Sequence, residues 1–350
     1  MKSVIIGLSG GVDSSVSALL LQRAGYRVLG VTMRTWREER DVSSFEQIER
    51  DARITAESLG IPHYVFDYSD PFRKKVVDVF VREYQNGRTP NPCVLCNRYV
   101  KWESLLAAAD SLGADFVATG HYANVIKLQN GRYTLSEASN DSGKDQTYAL
   151  FGLTQEQLKR TLMPLGSFSK EEVRKLAAEY GLTAAKKPDS EENCFIPDND
   201  YAAFITRYSG EAGKPGNFVD PAGNILGRHK GIIHYTIGQR RGLGLALGYP
   251  VFVKEIRPET NEVVAAMNSD LLSCSLTADQ LRFMARDHFE DGELVTAKIR
   301  YNHKGASARI FMRDSGRMEV IFDEAQRAAA PGQAVVLYQQ GHILGGGTIL

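Results

Sequence analysis

Three groups of residues have types and spacings that suit chemistry. The first is Ser9-Gly10-Gly11-Val12-Asp13-Ser14, where a short apolar run, Val4–Leu8, meets helical spacing. Two glycines let a backbone turn tightly and bring its N–H groups against phosphate oxygens. The start of a helix adds unpaired donors and a partial positive charge, and the hydroxyls of Ser9, Ser14 and Ser15 add further donors. No lysine follows the glycines, so this is not the loop that cradles a terminal phosphate for hydrolysis. It reads as a pyrophosphate-binding loop. The plainer alternative is a glycine turn capped by Asp13 or Ser14.

The second group is thiols. Cys93 and Cys96 form a C-x-x-C in Gly87-Arg88-Thr89-Pro90-Asn91-Pro92-Cys93-Val94-Leu95-Cys96-Asn97, which two prolines mark as a loop. Cys96 stands just before a helix expected over Arg98–Ala109, and a helix start favours thiolate. Cys194 lies in a polar stretch, Asp189–Ile196, and is expected in a loop, whereas Cys274, among Leu271, Leu272 and Leu276, is expected in the core. Three readings compete for Cys93, Cys96 and Cys194: inert residues, three ligands of a metal or iron–sulfur site with one open position, or sulfur transfer by persulfide and thiol exchange. Spacing alone does not separate the last two.

The third group pairs cations with aromatic rings. Arg300-Tyr301 with His303 and Lys304 suits backbone contact plus stacking on RNA, and Arg228, His229, Lys230, Arg240 and Arg241 make a second basic group. The plainer alternative is a solvated charged face. Lysine plus arginine (42) equals aspartate plus glutamate (42), which argues against a protein that coats nucleic acid through a global positive field, so binding would rest on such local clusters.

The elements that must position these groups alternate. Strands are expected at Val4–Leu8, Arg27–Met33, His63–Phe66 and Phe116–Thr119, and helices at Ser14–Ala24, Phe45–Leu59 and Leu105–Leu112. That order predicts an α/β fold with a parallel sheet, binding ligands at the carboxyl ends of its strands. From about Gly210 the texture shifts to short alternating runs, and from Leu276 onward strands separated by turns predict a small β-barrel or sandwich. At 350 residues two or three domains are expected, divided here as 1–205, 206–270 and 271–350. Four cysteines are too few for a disulfide framework. No apolar run reaches bilayer length and no cleavable leader is apparent, so a cytoplasmic protein without membrane attachment is expected.

The string S-G-G-V-D-S resembles the signature of the PP-loop ATP pyrophosphatases, which transfer AMP to a carbonyl oxygen and release pyrophosphate. The resemblance implies that ATP and Mg²⁺ bind at Gly7, Leu8, Ser9, Gly10, Gly11, Val12, Asp13 and Ser14, with Asp13 near the metal-bound pyrophosphate and Met33 and Gly120 beside adenine and ribose. With Gly87–Asn97, Ala118–Ala123, Lys144–Tyr148, Cys194–Ile196, Gly231–Gly244 and Leu344–Ile349, the chain closely resembles the bacterial tRNA-specific 2-thiouridylases over almost its entire length. That resemblance implies an N-terminal nucleotide domain, a small central domain and a C-terminal β-barrel. It implies adenylation of O2 of the wobble uridine (position 34) in tRNAs for Glu, Gln and Lys. Sulfur would come from a persulfide donor protein linked to a cysteine desulfurase.

By the same resemblance Cys194 carries the persulfide and Cys96 is the nucleophile, with a Cys96–Cys194 disulfide formed in turnover. Asn91, Pro92 and Cys93 would contact the target base, and Lys144, Asp145, Gln146, His121, Arg300, Tyr301 and Gln333 would touch tRNA. Many members carry aspartate where this chain has Cys93. The departure removes a plausible acid–base group and strengthens an iron–sulfur cluster on Cys93, Cys96 and Cys194 as the alternative to a persulfide relay. Two rivals are an amidating ligase of the GMP synthetase kind, which needs no loop thiols, and a non-catalytic tRNA-binding protein with a vestigial ATP site.

Overall fold

The computed structural model describes residues 1–36, 42–138, 145–187 and 193–350, with only the backbone of 42–44 and 186. Strands β1 (Ser3–Gly7), β2 (Arg27–Arg34), β3 (His63–Asp67) and β4 (Phe116–Ala118) form a parallel sheet in the order β3-β2-β1-β4, extended beyond β4 by Thr161–Leu162. β1 is apolar throughout and completely buried at Val4, Ile5 and Ile6, as a central strand covered on both faces must be. Helix α1 (Val12–Arg23) follows β1 directly, and helix α2 (Val42–Leu59) joins β2 to β3. The chain leaves β1 toward β2 on one side and returns to β4 on the other. A crevice therefore opens at the carboxyl ends of β1 and β4, the position where such sheets bind ligands.

The region after Gly210 holds a four-stranded sheet, Phe252–Arg257, Glu262–Ala266, Gly216–Val219 and Ile225–His229 in spatial order. The C-terminal sheet has eight strands, six of which close into a barrel through pairing of Leu272–Phe283 with both Arg317–Arg327 and His342–Ile349. Closure satisfies edges that would otherwise template aggregation. The other two, Asn124–Lys127 and Tyr133–Ser136, come from the N-terminal region and extend the sheet beyond that ring: Tyr133–Ser136 pairs with His342–Ile349, and Asn124–Lys127 with Tyr133–Ser136. The barrel and the nucleotide domain are therefore joined by a shared sheet, a feature without a counterpart in the sequence reading.

The thiol region differs from expectation. Instead of a loop before a helix, Pro92–Cys96 is itself helical and runs on through a π turn, Asn97–Lys101, into Trp102–Leu112. Pro92 at the first helical position costs nothing, because its missing N–H would be an orphan there anyway. Asn91 caps the helix, its Oδ1 accepting from the N–H groups of Cys93 (3.1 Å) and Val94 (3.3 Å). Cys274 is exposed, contrary to the expected core thiol: the strand start Leu272–Ser275 is exposed on both faces, and a register shift between Ser273 and Ser275 separates it from the buried Leu276.

Candidate functional site

The loop after β1 lies in the crevice. Gly7 and Leu8 end the strand, with Leu8 donating its N–H to Val31 O at 2.8 Å, and Ser9 is exposed. Gly10 has φ +72°, a left-handed conformation that favours glycine, and a Cβ there would come within 2.6 Å of Asp51 Cβ. Gly11 caps α1 without a side-chain bond; the hydroxyls of Ser14 (3.1 Å) and Ser15 (2.9 Å) instead donate to its carbonyl. Ser14 Oγ also accepts from the Ser9 N–H at 3.3 Å, closing the turn. Val12 is buried, which fixes the first turn of the helix and leaves its opening N–H groups facing the crevice end of the sheet. Gly120, just past β4, packs so tightly that a Cβ would lie 2.8 Å from the Asp13 carbonyl carbon and 2.9 Å from Ser14 N. Met33 stands near the end of β2, two residues beyond the register pair Gly7–Val31.

Asp13 is engaged on both oxygens. Lys170 Nζ lies 2.8 Å from each of them, and Tyr122 Oη donates to Oδ1 at 2.7 Å. Gln146 in turn accepts from the Tyr122 N–H at 2.9 Å and donates its own N–H to the Tyr122 carbonyl at 3.0 Å. Lys170 and Tyr122 escaped the sequence reading; an aromatic and a cation this distant in sequence give no local signal. Lys144 lies outside the described residues. Asp145 is half-buried and acts locally, accepting from Thr147 Oγ1 at 2.7 Å, and burial holds its carboxyl above the usual range. His121 lies tilted against Trp102, ring centroids 5.5 Å apart, and shares a hydrogen bond of 2.8 Å with Thr119 Oγ1. Burial, with help from the Lys101 charge, pushes its pKa well below the ordinary value, so the ring is neutral.

The three thiols lie in one region, near enough to interact electrostatically. Cys194 follows a polar stretch, and its neighbours Phe195 and Ile196 are buried in an aromatic core with Phe72, Phe80, Trp36 and Phe204. Leu95 and Cys96 pack against the same core, so apolar anchoring of adjacent residues brings Cys194 and Cys96 to one cleft. Cys93 and Cys194 remain accessible and Cys96 is half-buried, yet protein surrounds all three closely enough to raise their pKa values. Cys194 is pushed up to about 12, first by burial and then by the nearby Cys96 and Cys93. The helix-start argument for an acidic Cys96 is thereby corrected: desolvation outweighs it. The counterweight is Lys101, whose charge acts on all three thiols and whose N–H reaches the Cys96 sulfur. Lys101 was missed, although its place five residues after Cys96 matches the offset of a π turn.

The barrel completes the cleft. Tyr301 stands 6.3 Å from Tyr148 in edge contact and is electrostatically coupled to Cys93 and Asp145. Arg300 is exposed and donates to the Arg327 carbonyl at 3.1 Å. Gln333 donates Nε2 to the carbonyls of Thr89 (2.9 Å) and Pro90 (3.3 Å), while the Thr89 N–H donates to Pro331 O at 2.8 Å. The side chain of Gln333 thus grips the segment that leads into Asn91 and Cys93. Of the basic groups, Arg228, Lys230, Arg240, Arg241 and Lys304 are exposed. His229 is buried, with its ring accepting from the Gly231 N–H at 3.0 Å. Burial lowers the pKa values of both His229 and His303, so neither adds to the positive surface that the sequence suggested.

Comparison with known proteins matches this architecture segment by segment. Residues 2–198 match the tRNA methyl transferase HUP domain, 202–267 the tRNA methyl transferase PRC-barrel domain, and 273–349 the aminomethyltransferase beta-barrel domain. The tRNA-specific 2-thiouridylase MnmA of Lachnoclostridium phytofermentans is 56% identical, covering 100% of both chains. Its counterpart in Clostridium kluyveri is 50% identical over 99% of both chains. A solved U34-tRNA thiolase, NcsA of Methanococcus maripaludis with its [4Fe-4S] cluster, is 19% identical over 59% of this chain and 66% of its own, with a TM-score of 0.36. The domain descriptions speak of methyl transfer and the full-length relatives of thiolation; identity over the whole chain gives the relatives the greater weight.

Proposed function

The chain belongs to the family of tRNA-specific 2-thiouridylases, and from that premise we propose how its residues replace a uridine oxygen with sulfur. ATP lies along the crevice between β1 and β4, with adenine and ribose near Met33 and Gly120 and the phosphates on the Ser9–Ser14 loop. Uridine O2 at position 34 attacks the α-phosphorus, the bond to pyrophosphate breaks, and the loop N–H groups take up the charge of the leaving group. Mg²⁺ would accompany the phosphates and shield their charge, and Asp13, whose charge Lys170 shares, would be the carboxylate to hold it.

The terminal sulfur of a persulfide on Cys194 then attacks C2, and AMP departs with the former O2. Cys96 attacks the Cys194 sulfur of the resulting adduct. The S–S bond breaks, 2-thiouridine leaves with the terminal sulfur, and a Cys96–Cys194 disulfide remains. An external dithiol restores both thiols. Lys101 supports the thiolate of Cys96, and Tyr301 offers a ring on which the uracil or a neighbouring base stacks. The observation that supports this reading most directly is packing: Cys96 lies against the same aromatic core that buries Phe195 and Ile196 beside Cys194.

Among the described residues no three Cys, His, Asp or Glu side chains converge as a metal site requires. Cys93, Cys96 and Cys194 as arranged do not fit an iron–sulfur cluster, and no step runs through one. The test is mass analysis of tRNA nucleosides after incubation with ATP, Mg²⁺ and a persulfide donor. Wild type forms 2-thiouridine, and Cys96→Ala and Cys194→Ala lower its rate by roughly a thousandfold or more while still releasing pyrophosphate. Undiminished 2-thiouridine in Cys96→Ala would defeat the assignment.

A further inference from the structure

The phosphate loop is braced from behind by a residue 177 positions away: Lys187 Nζ donates to the Gly10 carbonyl at 3.1 Å and ion-pairs with Asp51 of α2. Asp51 is held in turn by Gln47, whose Nε2 donates to Oδ1 at 2.9 Å. The backbone of Lys187 is also fixed, its carbonyl accepting from Arg174 Nη1 at 3.0 Å and its N–H donating to Ala184 O at 3.1 Å. Gly10 itself sits against α2, where only a missing side chain fits.

In a trans peptide the C=O of one residue and the N–H of the next point in opposite directions. A cation on Gly10 O therefore lies on the far side of the peptide from the Gly11 N–H. It draws electron density through that peptide and strengthens the N–H as a donor. It also fixes the plane of the peptide, so the N–H cannot rotate out of the loop's concave face. We propose that Lys187, held by Asp51, is a positioning residue for the pyrophosphate moiety of ATP. It acts through the Gly10–Gly11 peptide rather than by touching phosphate, and so supplies from behind the charge that loops with a following lysine supply from the front.

This rests on the reading of Ser9–Ser14 as the ATP phosphate site, and the experiment separates the two. Binding of inorganic pyrophosphate, ATP and AMP, each with Mg²⁺, is measured by calorimetry on the full-length protein for wild type, Lys187→Met, Lys187→Arg and Asp51→Asn. Lys187→Met is expected to weaken pyrophosphate and ATP roughly tenfold and AMP less than twofold. Lys187→Arg restores most of the loss, and Asp51→Asn falls between. Equal weakening of pyrophosphate and AMP, or no weakening of either, overturns the inference. A wild type that binds neither ATP nor pyrophosphate defeats the underlying reading instead.

Discussion

Tyr122 Oη donates a 2.7 Å hydrogen bond to Asp13, and the backbone of the same tyrosine is bonded both ways to Gln146. The proposed tRNA-contacting string therefore touches the phosphate loop through one side chain. A hydrogen bond to a charged group contributes about 1.5–3 kcal/mol. Tyr122→Phe is expected to raise KM for ATP roughly ten- to a hundredfold with the fold intact, read by steady-state adenylation. An unchanged KM would mean that Lys170 alone orients Asp13.

Lys101 governs the acidity of the thiol cleft. Burial raises the pKa values of Cys93, Cys96 and Cys194, and the Lys101 charge opposes that rise at each. Lys101→Met removes the opposition, so all three move further up and less thiolate exists at any given pH. Alkylation by iodoacetamide, followed residue by residue by mass spectrometry, is expected to need a higher pH in the variant. The pH–rate profile of thiolation shifts alkaline with it.

His121 predicts a pH dependence of stability. Its folded pKa lies well below the ordinary value of 6.5, so the unfolded chain takes up a proton that the folded chain refuses. The penalty is absent above about pH 6.5 and grows as pH falls, at up to about 1.4 kcal/mol per pH unit until the folded pKa is reached. Urea unfolding of wild type and His121→Gln between pH 7 and 5 checks it. The variant should show a shallower acid loss by one proton.

Cys93 separates relay from cluster chemistry. Protein purified without oxygen is expected to hold no stoichiometric iron, and Cys93→Ser to keep most of its thiolation activity. Iron bound stoichiometrically in wild type and lost in Cys93→Ser would reverse that reading.

Much of the nucleotide half was legible because it is written locally: an apolar run, two glycines and a helical period need no distant partner. Helix Pro92–Cys96 was legible in principle too, since Asn91-Pro92 is a cap followed by the residue best tolerated at the first helical position. Reading both prolines as breakers hid it. Thiol acidity was beyond reach, because burial raises the pKa of Cys96 and the core it packs on gathers residues far apart in sequence, from Phe72 and Phe80 to Phe195 and Phe204. Cys274 misled for the opposite reason: nearby leucines describe composition, whereas the irregular pairing between Ser273 and Ser275 leaves the whole strand start exposed, which alternation does not foretell. The strands Asn124–Lys127 and Tyr133–Ser136 were invisible as extensions of the barrel sheet, since the partner of Tyr133–Ser136 lies more than two hundred residues later.

The grip of the barrel on Thr89 and Pro90 also has a temporal meaning. Gln333 and Pro331 hold that segment, and Arg88 donates to the carbonyl of Ile349 at 3.0 Å, one residue from the end of the described chain. Synthesis proceeds from the other end, and domains fold as they emerge. A ribosome-bound chain forms the phosphate loop long before Cys93 and Cys96 can gain the support of Gln333 and Pro331. Yet Ala334, Val336, Tyr338 and Ile343 also join Ile5, Leu29 and Val31 in one core, so a nascent or truncated chain lacking residues 331–349 would lack both the grip on the thiol segment and part of the packing beneath the phosphate loop, and neither site settles before translation ends.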